Sequence, residues 1–261
     1  MKSTKASMRL FILGATGGIG RQLVDQALER HHSVTAFLRS PPKLAARRDG
    51  LTVIQGNVRD PDAMSRALRG HDAVLSTLGP PGPARNTITS DSVRATVAAM
   101  QSAGFDRLLV VRVATLFPNI GVFGHLLRNT LLRNIADDSA EMERIVKASG
   151  LDWTIVRPPR LTNGPRREHY GVADNRLPNG AGGNATISRA DVAHFMLNEL
   201  EHPVHTRRVV GIAYTKAASP RPQFSRTSGP KSPRLSSTWR ATQPDSSRLN
   251  LIIQIQPGEN A

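Results

Sequence analysis

A chain of 261 residues can bury a full core, and the simplest expectation is one domain with room for a small lobe or a tail. It contains no cysteine, which excludes disulfides, thiolate metal sites and cysteine nucleophiles and fits a reducing cytoplasm. The net charge of +15 raises nucleic acid as a partner, but aromatics are only 4% of the residues and no Lys/Arg stripe interleaves with Phe or Tyr, so a solvated basic surface is the preferred reading.

At the start, Lys2, Lys5 and Arg9 precede an apolar patch in the manner of a signal peptide. The patch is only about five residues long before glycines intervene, against about 7 to 15 for a secretory core. No apolar run approaches the roughly 18 to 20 residues of a membrane span. The expectation is a soluble, cytoplasmic protein without membrane contact.

Runs rich in Val, Ile and Leu then alternate with segments of helical period, the pattern of a parallel sheet covered on both faces. Strands are expected at Arg9–Leu13, Ser33–Leu38, Leu51–Gln55, Ala73–Leu78, Arg107–Val113 and Trp153–Arg157, with a seventh at Arg208–Tyr214. Helices fit Ile19–Arg30, Pro61–Leu68, Ser90–Ala103, Asp138–Ala148 and Arg189–Leu200. Gly104 and Gly150 stand just past helical stretches as stop signals, and Ser188 with Asp191 forms a plausible cap. This alternation predicts an α/β fold with a doubly wound, mostly parallel sheet, a Rossmann-type domain over residues 8–216. Two stretches break the pattern. Leu161–Asn184 is rich in Gly, Pro, Asn and Arg and reads as a substrate-side excursion, placed within 161–184. Residues 217–261, "AASPRPQFSRTSGPKSPRLSSTWRATQPDSSRLN" and beyond, are Ser/Pro/Arg-rich and are expected to be disordered.

The first strand runs into "GATGGIG", with Gly14, Gly17 and Gly20 spaced Gly-x-x-Gly-x-x-Gly before a helix. A phosphate cradle needs a strand, a tight glycine turn and a helix whose free N–H groups face the anion. Here Gly14 can take the turn, Gly17 lets backbone approach a pyrophosphate, and Gly20 lets helix and strand pack closely. The second strand then selects the cofactor, because an acid at its end holds a ribose hydroxyl whereas a cation there holds a 2′-phosphate. "VTAFLRS" ends in Arg39 with no acid before Asp49, so NADPH is expected over NADH.

Together "GATGGIG", "FLRS", "GNVRDPDAM", "DAVLSTLG", "SGLDWTIVRPPRLTNGP" and "ISRADVAHFML" resemble the atypical short-chain dehydrogenase/reductases, the NmrA-like NAD(P)H-binding group, and within it the flavin and biliverdin reductases. The resemblance spans about Arg9 to Leu200. It implies that Gly14, Thr16, Gly17, Gly18 and Ile19 surround the pyrophosphate and that Arg39 meets the 2′-phosphate. It also implies that Asn57 and Val58 flank the adenine, where the family usually has Asp before Val. Leu78 and Gly79 would lie along the cofactor, and Pro158, Pro159 and Arg160 would approach the nicotinamide. After the fifth strand the family commonly carries a Ser or Thr-Ser pair; "VVRVATLF" gives Arg112 and Val113 instead, leaving Thr115 as the nearest hydroxyl. Thr115 and Arg160 are the candidate catalytic residues.

Arg112 either reaches a phosphate or carboxylate or sits at a sheet end, the second being preferred. The cluster Asp137, Asp138, Glu141 and Glu143 reads as charge bias at a helix N-terminus. The Tyr-x-x-x-Lys pair of carbonyl-reducing relatives is absent, since Asp174 and Ala218 stand four residues after Tyr170 and Tyr214. No metal site is expected, because His31, His32 and His194 lack ligand company. The expected function is an NADPH-dependent reductase that passes hydride to a small-molecule planar acceptor, a flavin, quinone or tetrapyrrole such as biliverdin. The alternative is a non-catalytic NADPH sensor. Deleting residues 217–261 is expected to leave cofactor binding unchanged, which calorimetry on the truncated chain checks.

Overall fold

The computed structural model describes residues 7–40, 48–79, 87–112 and 133–215, with side chains omitted at 133–136. All belong to the first of two compact units, residues 1–219; the expected tail lies outside the described residues.

Ten strands and five helices are described, in the order β1 (Arg9–Leu13), α1 (Gly18–Glu29), β2 (Ser33–Leu38), β3 (Leu51–Gln55), α2 (Pro61–Leu68), β4 (Ala73–Ser76), α3 (Ile88–Ala103), β5 (Arg107–Val111), α4 (Arg133–Ala148), β6 (Asp152–Arg157), β7 (Arg160–Thr162), β8 (Gly171–Asp174), β9 (Thr186–Ser188), α5 (Arg189–Glu201) and β10 (Arg208–Ala213). The main sheet has the order β3-β2-β1-β4-β5-β6-β10-β8, parallel throughout except for the antiparallel edge β8, and β7 pairs with β9 in a separate ribbon. This is the expected doubly wound α/β fold.

Burial on both faces explains the apolar runs of the central strands β1, β4 and β5. In β1, Leu10 and Ile12 join a cluster with Leu23 and Val24 of α1 and Val192 and Met196 of α5. The alternate residues Phe11 and Leu13 join the opposite cluster with Met64 of α2, Met100 of α3 and Met142 of α4. Helix starts are set by side-chain caps. Asp60 accepts from the N–H groups of Asp62 and Ala63, both at 3.0 Å, with Pro61 at the first turn, and Ser188 accepts from Asp191 N–H at 3.0 Å.

Where structure and expectation differ, long-range contacts decide. β4 stops at Ser76 because Thr77 turns its hydroxyl and its N–H onto Leu13 O, at 3.1 and 3.0 Å. β10 stops at Ala213 because Tyr214 N–H donates across to Thr186 O at 3.0 Å. α4 begins five residues before Asp138, so Asp138 and Glu143 are interior residues and the N-terminal charge-bias reading is corrected. Asp138 instead accepts from Thr89 N, Ser90 N and Ser90 Oγ, closing the start of α3 from a neighbouring helix.

The stretch 161–184 contains β8, paired with β10, and one carboxylate holds its backbone at Arg167 and Glu168. Asp191 accepts from Arg167 N at 2.9 Å, Glu168 N at 2.8 Å, Ser188 Oγ at 3.0 Å and the Tyr214 hydroxyl. Burial alone would raise its pKa, but these hydrogen bonds, Tyr214 first, outweigh it and hold the carboxyl below the usual range. The stabilisation is therefore present above the unfolded carboxyl pKa of about 3.9 and is lost as the pH falls through the lower folded value.

Two predictions follow from this architecture. Asp191→Asn costs about 2 kcal/mol in denaturant unfolding at pH 7, and the difference from the parent shrinks towards pH 3. Gly20→Ala lowers stability by at least about 2 kcal/mol in the same assay, because its Cβ would stand 2.1 Å from Gly14 O.

Candidate functional site

The strand order reverses between β1 and β4, and open α/β sheets bind ligands beyond the carboxyl ends of the strands at such a point. The chain leaves β1 through Gly14 at φ +79°, a conformation that costs a side-chain-bearing residue dearly. A Cβ at Gly14 would also stand 2.8 Å from Thr77 Oγ1 and 3.0 Å from Leu78 N. Gly17 N–H donates to Gly14 O at 2.9 Å, closing the turn, and α1 starts one residue later.

The first free N–H groups of α1 belong to Gly18, Ile19 and Gly20, since the helical ladder begins with Arg21 N–H on Gly17 O at 2.9 Å. No side chain caps them and no acid lies in the first turn, while Gly17 and Gly18 are exposed. This helix end carries no acid and no cap, and the Arg189 side chain lies against Gly18, so its surroundings are electropositive, as an anion requires. Thr77 was not singled out by the sequence. Its hydroxyl reaches Leu13 O at 3.1 Å and Gly14 O at 3.3 Å, so it fixes the turn against β4.

Arg39 follows β2 directly and is exposed, on the same carboxyl side of the sheet as the glycine turn. Val58 is half-buried against the second core cluster. Asn57 is exposed, and its Oδ1 accepts from Arg59 N–H at 3.1 Å, so the side chain shapes the turn before α2.

A pocket of about 150 Å³ opens beside the glycine turn. Its lining includes Ile19, Leu78, Gly79 and Pro158, four of the residues expected along a cofactor, together with Thr89, Arg112, Ser139, Met142, Pro159 and Leu161. Arg160, though next to two lining residues, is exposed at the start of β7 and does not line the pocket. Thr115 and Val113 lie outside the described residues.

Arg112 sits at the end of β5, as the preferred reading has it, but it is buried there and paired. It is 3% exposed, its guanidinium contacts Glu143, and the same carboxylate takes Arg157 and, at 2.7 Å, Lys147. Burial foremost, and repulsion from Arg157 next, lower the Arg112 pKa to about 9, so it stays charged at neutral pH; burial lowers Arg157 to about 10. Buried donors left without acceptors cost about 1–3 kcal/mol each, and Arg112 Nε and Nη2 have none among the described residues.

Both tyrosines are engaged elsewhere. Tyr170 meets His194 Nδ1 at 2.8 Å, Tyr214 donates to Asp191, and burial raises both phenol pKa values. Neither lines the pocket, so no phenol acid serves it from the described residues. Among those residues there is no cluster that could hold a metal ion and no helix long and apolar enough to cross a membrane.

Comparison with known proteins agrees with the fold. The chain is 26% identical over 206 residues to YwnB of Bacillus subtilis (strain 168), covering 76% of this chain and 94% of that protein. It is 26% identical over 223 residues to the (4-alkanoyl-5-oxo-2,5-dihydrofuran-3-yl)methyl phosphate reductase of Streptomyces griseus, covering 84% and 72%. Among solved structures, a Bacteroides thetaiotaomicron protein described as an epimerase is 27% identical with a TM-score of 0.70, covering 82% of this chain and 100% of that one. A short-chain dehydrogenase/reductase from Veillonella parvula in complex with NADP shares the fold at 20% identity and a TM-score of 0.67, covering 79% and 94%. The model of the NAD(P)H-binding family matches residues 14–203, and the chain belongs to that family.

Proposed function

We propose that this chain is an NADPH-dependent oxidoreductase that passes hydride to a small planar acceptor, a flavin, a quinone or a tetrapyrrole such as biliverdin. One observation carries the reading: the uncapped start of α1 opens at the strand-order reversal directly onto a pocket walled by Ile19, Leu78, Gly79 and Pro158. The tight turn supports a dinucleotide cradle: glycine at 14 and 20, where a Cβ would collide with neighbouring backbone, lets α1 start hard against β1 with its free N–H groups unneutralised.

In this reading Gly14, Thr16, Gly17, Gly18 and Ile19 hold the pyrophosphate, and Arg39 holds the 2′-phosphate. Asn57 and Val58 border the adenine; Leu78, Gly79 and Pro158 orient the nicotinamide end. NADPH, when bound, supplies the hydride. The protein's part is orientation and the exclusion of water by Ile19, Leu78 and Pro158. With Tyr170 and Tyr214 committed to His194 and Asp191, the proton that completes reduction comes from solvent.

The reductase named among the relatives supports an enzyme over a sensor. The occupied tyrosines favour the second reading, a non-catalytic NADPH sensor, and turnover separates the two: a sensor binds NADPH and oxidises none with any acceptor. A soluble, cytoplasmic protein without nucleic acid or membrane partners fits either reading.

Calorimetric titration with NADPH and NADH at equal salt tests the cofactor assignment. NADPH is expected to bind at least about tenfold more tightly, and Arg39→Ala to remove that margin while leaving NADH affinity unchanged. Equal affinities in the parent chain would remove Arg39 from the site.

A further inference from the structure

Three buried polar atoms on two residues of the pocket wall have no hydrogen-bond partner among the described residues. Thr89 is 5% exposed and Arg112 is 3% exposed, and neither Thr89 Oγ1 nor Arg112 Nε and Nη2 makes a hydrogen bond among the described residues. Both residues line the same pocket, whose remaining wall is largely apolar, with Val111, Met142, Pro158 and Leu161. The charge around it is unbalanced as well. Glu143 already takes Arg157 and Lys147, so its neutralisation does not require Arg112. Asp138, the other buried carboxylate that acts on Arg112, is occupied by Thr89 N, Ser90 N and Ser90 Oγ at the start of α3.

The free edge of Arg112 has a definite shape. Nη1 faces Glu143, which leaves the parallel Nε–H and Nη2–H pair, the edge that matches the two oxygens of a carboxylate. A cavity on the order of 150 Å³ holds a benzene-sized ring. We propose that this pocket binds an aromatic or conjugated carboxylate, its oxygens accepting from Arg112 Nε and Nη2 and from the Thr89 hydroxyl. That this molecule is the hydride acceptor rests on the reductase reading; the anion site itself does not.

The test titrates benzoate and its neutral isostere benzamide into the full chain by calorimetry, with and without saturating NADP⁺. Benzoate is expected to bind at least about tenfold more tightly than benzamide. Thr89→Val should weaken benzoate about three- to tenfold with benzamide unchanged, and Arg112→Met should abolish the preference. Thr89→Val keeps the test decisive if Arg112→Met fails to fold, because it replaces an unpaired buried hydroxyl with a methyl of similar size and should unfold at the same temperature or higher. Equal affinity for the two probes, binding of neither, or unchanged benzoate affinity in Thr89→Val overturns the proposal. A benzoate preference without NADP⁺ binding keeps the anion site and removes the reductase reading; NADP⁺ binding without the preference does the reverse.

Discussion

The close passage of α1 over the end of β1 is the constraint on which the rest of the structure depends. Gly14 O lies where a Cβ on Gly20 would stand, so the helix can begin against the strand only because position 20 lacks one. That contact brings the free N–H groups of Gly18, Ile19 and Gly20 to the strand-order reversal, and Thr77 holds the turn from the neighbouring strand. The two core clusters keep this junction rigid, since alternate residues of β1 are buried in opposite helix layers. A dinucleotide site built this way uses backbone for the phosphates and leaves side chains for selectivity, which is where Arg39 enters.

The other end of the site is governed by burial of charge. Arg112 and Arg157 share Glu143 where water is scarce, so each unpaired donor is expensive and each charge acts strongly on its neighbours. An apolar wall with a few unmet donors is the usual make-up of a small-molecule pocket, and here it adjoins the residues proposed to orient the nicotinamide. Asp191 does comparable work at the excursion: from α5 it takes the N–H groups of Arg167 and Glu168 and the hydroxyls of Ser188 and Tyr214.

Much of this was legible in the sequence, for physical reasons. β1, β2 and β3 are short runs rich in apolar and β-branched residues, and their limits were read as they stand. The glycine turn, the Ser188 cap and the strand ending at Arg39 are local features whose meaning depends on a few neighbouring residues. The three-residue β7 and β9 were not legible, because such strands lack a measurable period and pair across a long separation. The pairing of Arg112 was not legible for a related reason: its partner Glu143 comes from a distant helix, and no spacing links them. Thr77, one hydroxyl at a strand end, carried no signal until β1 and β4 were side by side.

The most direct test of the central claim is a crystal structure of the chain grown with NADP⁺. The pyrophosphate should lie within hydrogen-bond reach of the N–H groups of Gly18 and Ile19, with the 2′-phosphate against Arg39. A nucleotide bound elsewhere, or one whose phosphates avoid the start of α1, would contradict the assignment of the glycine turn as the cofactor cradle.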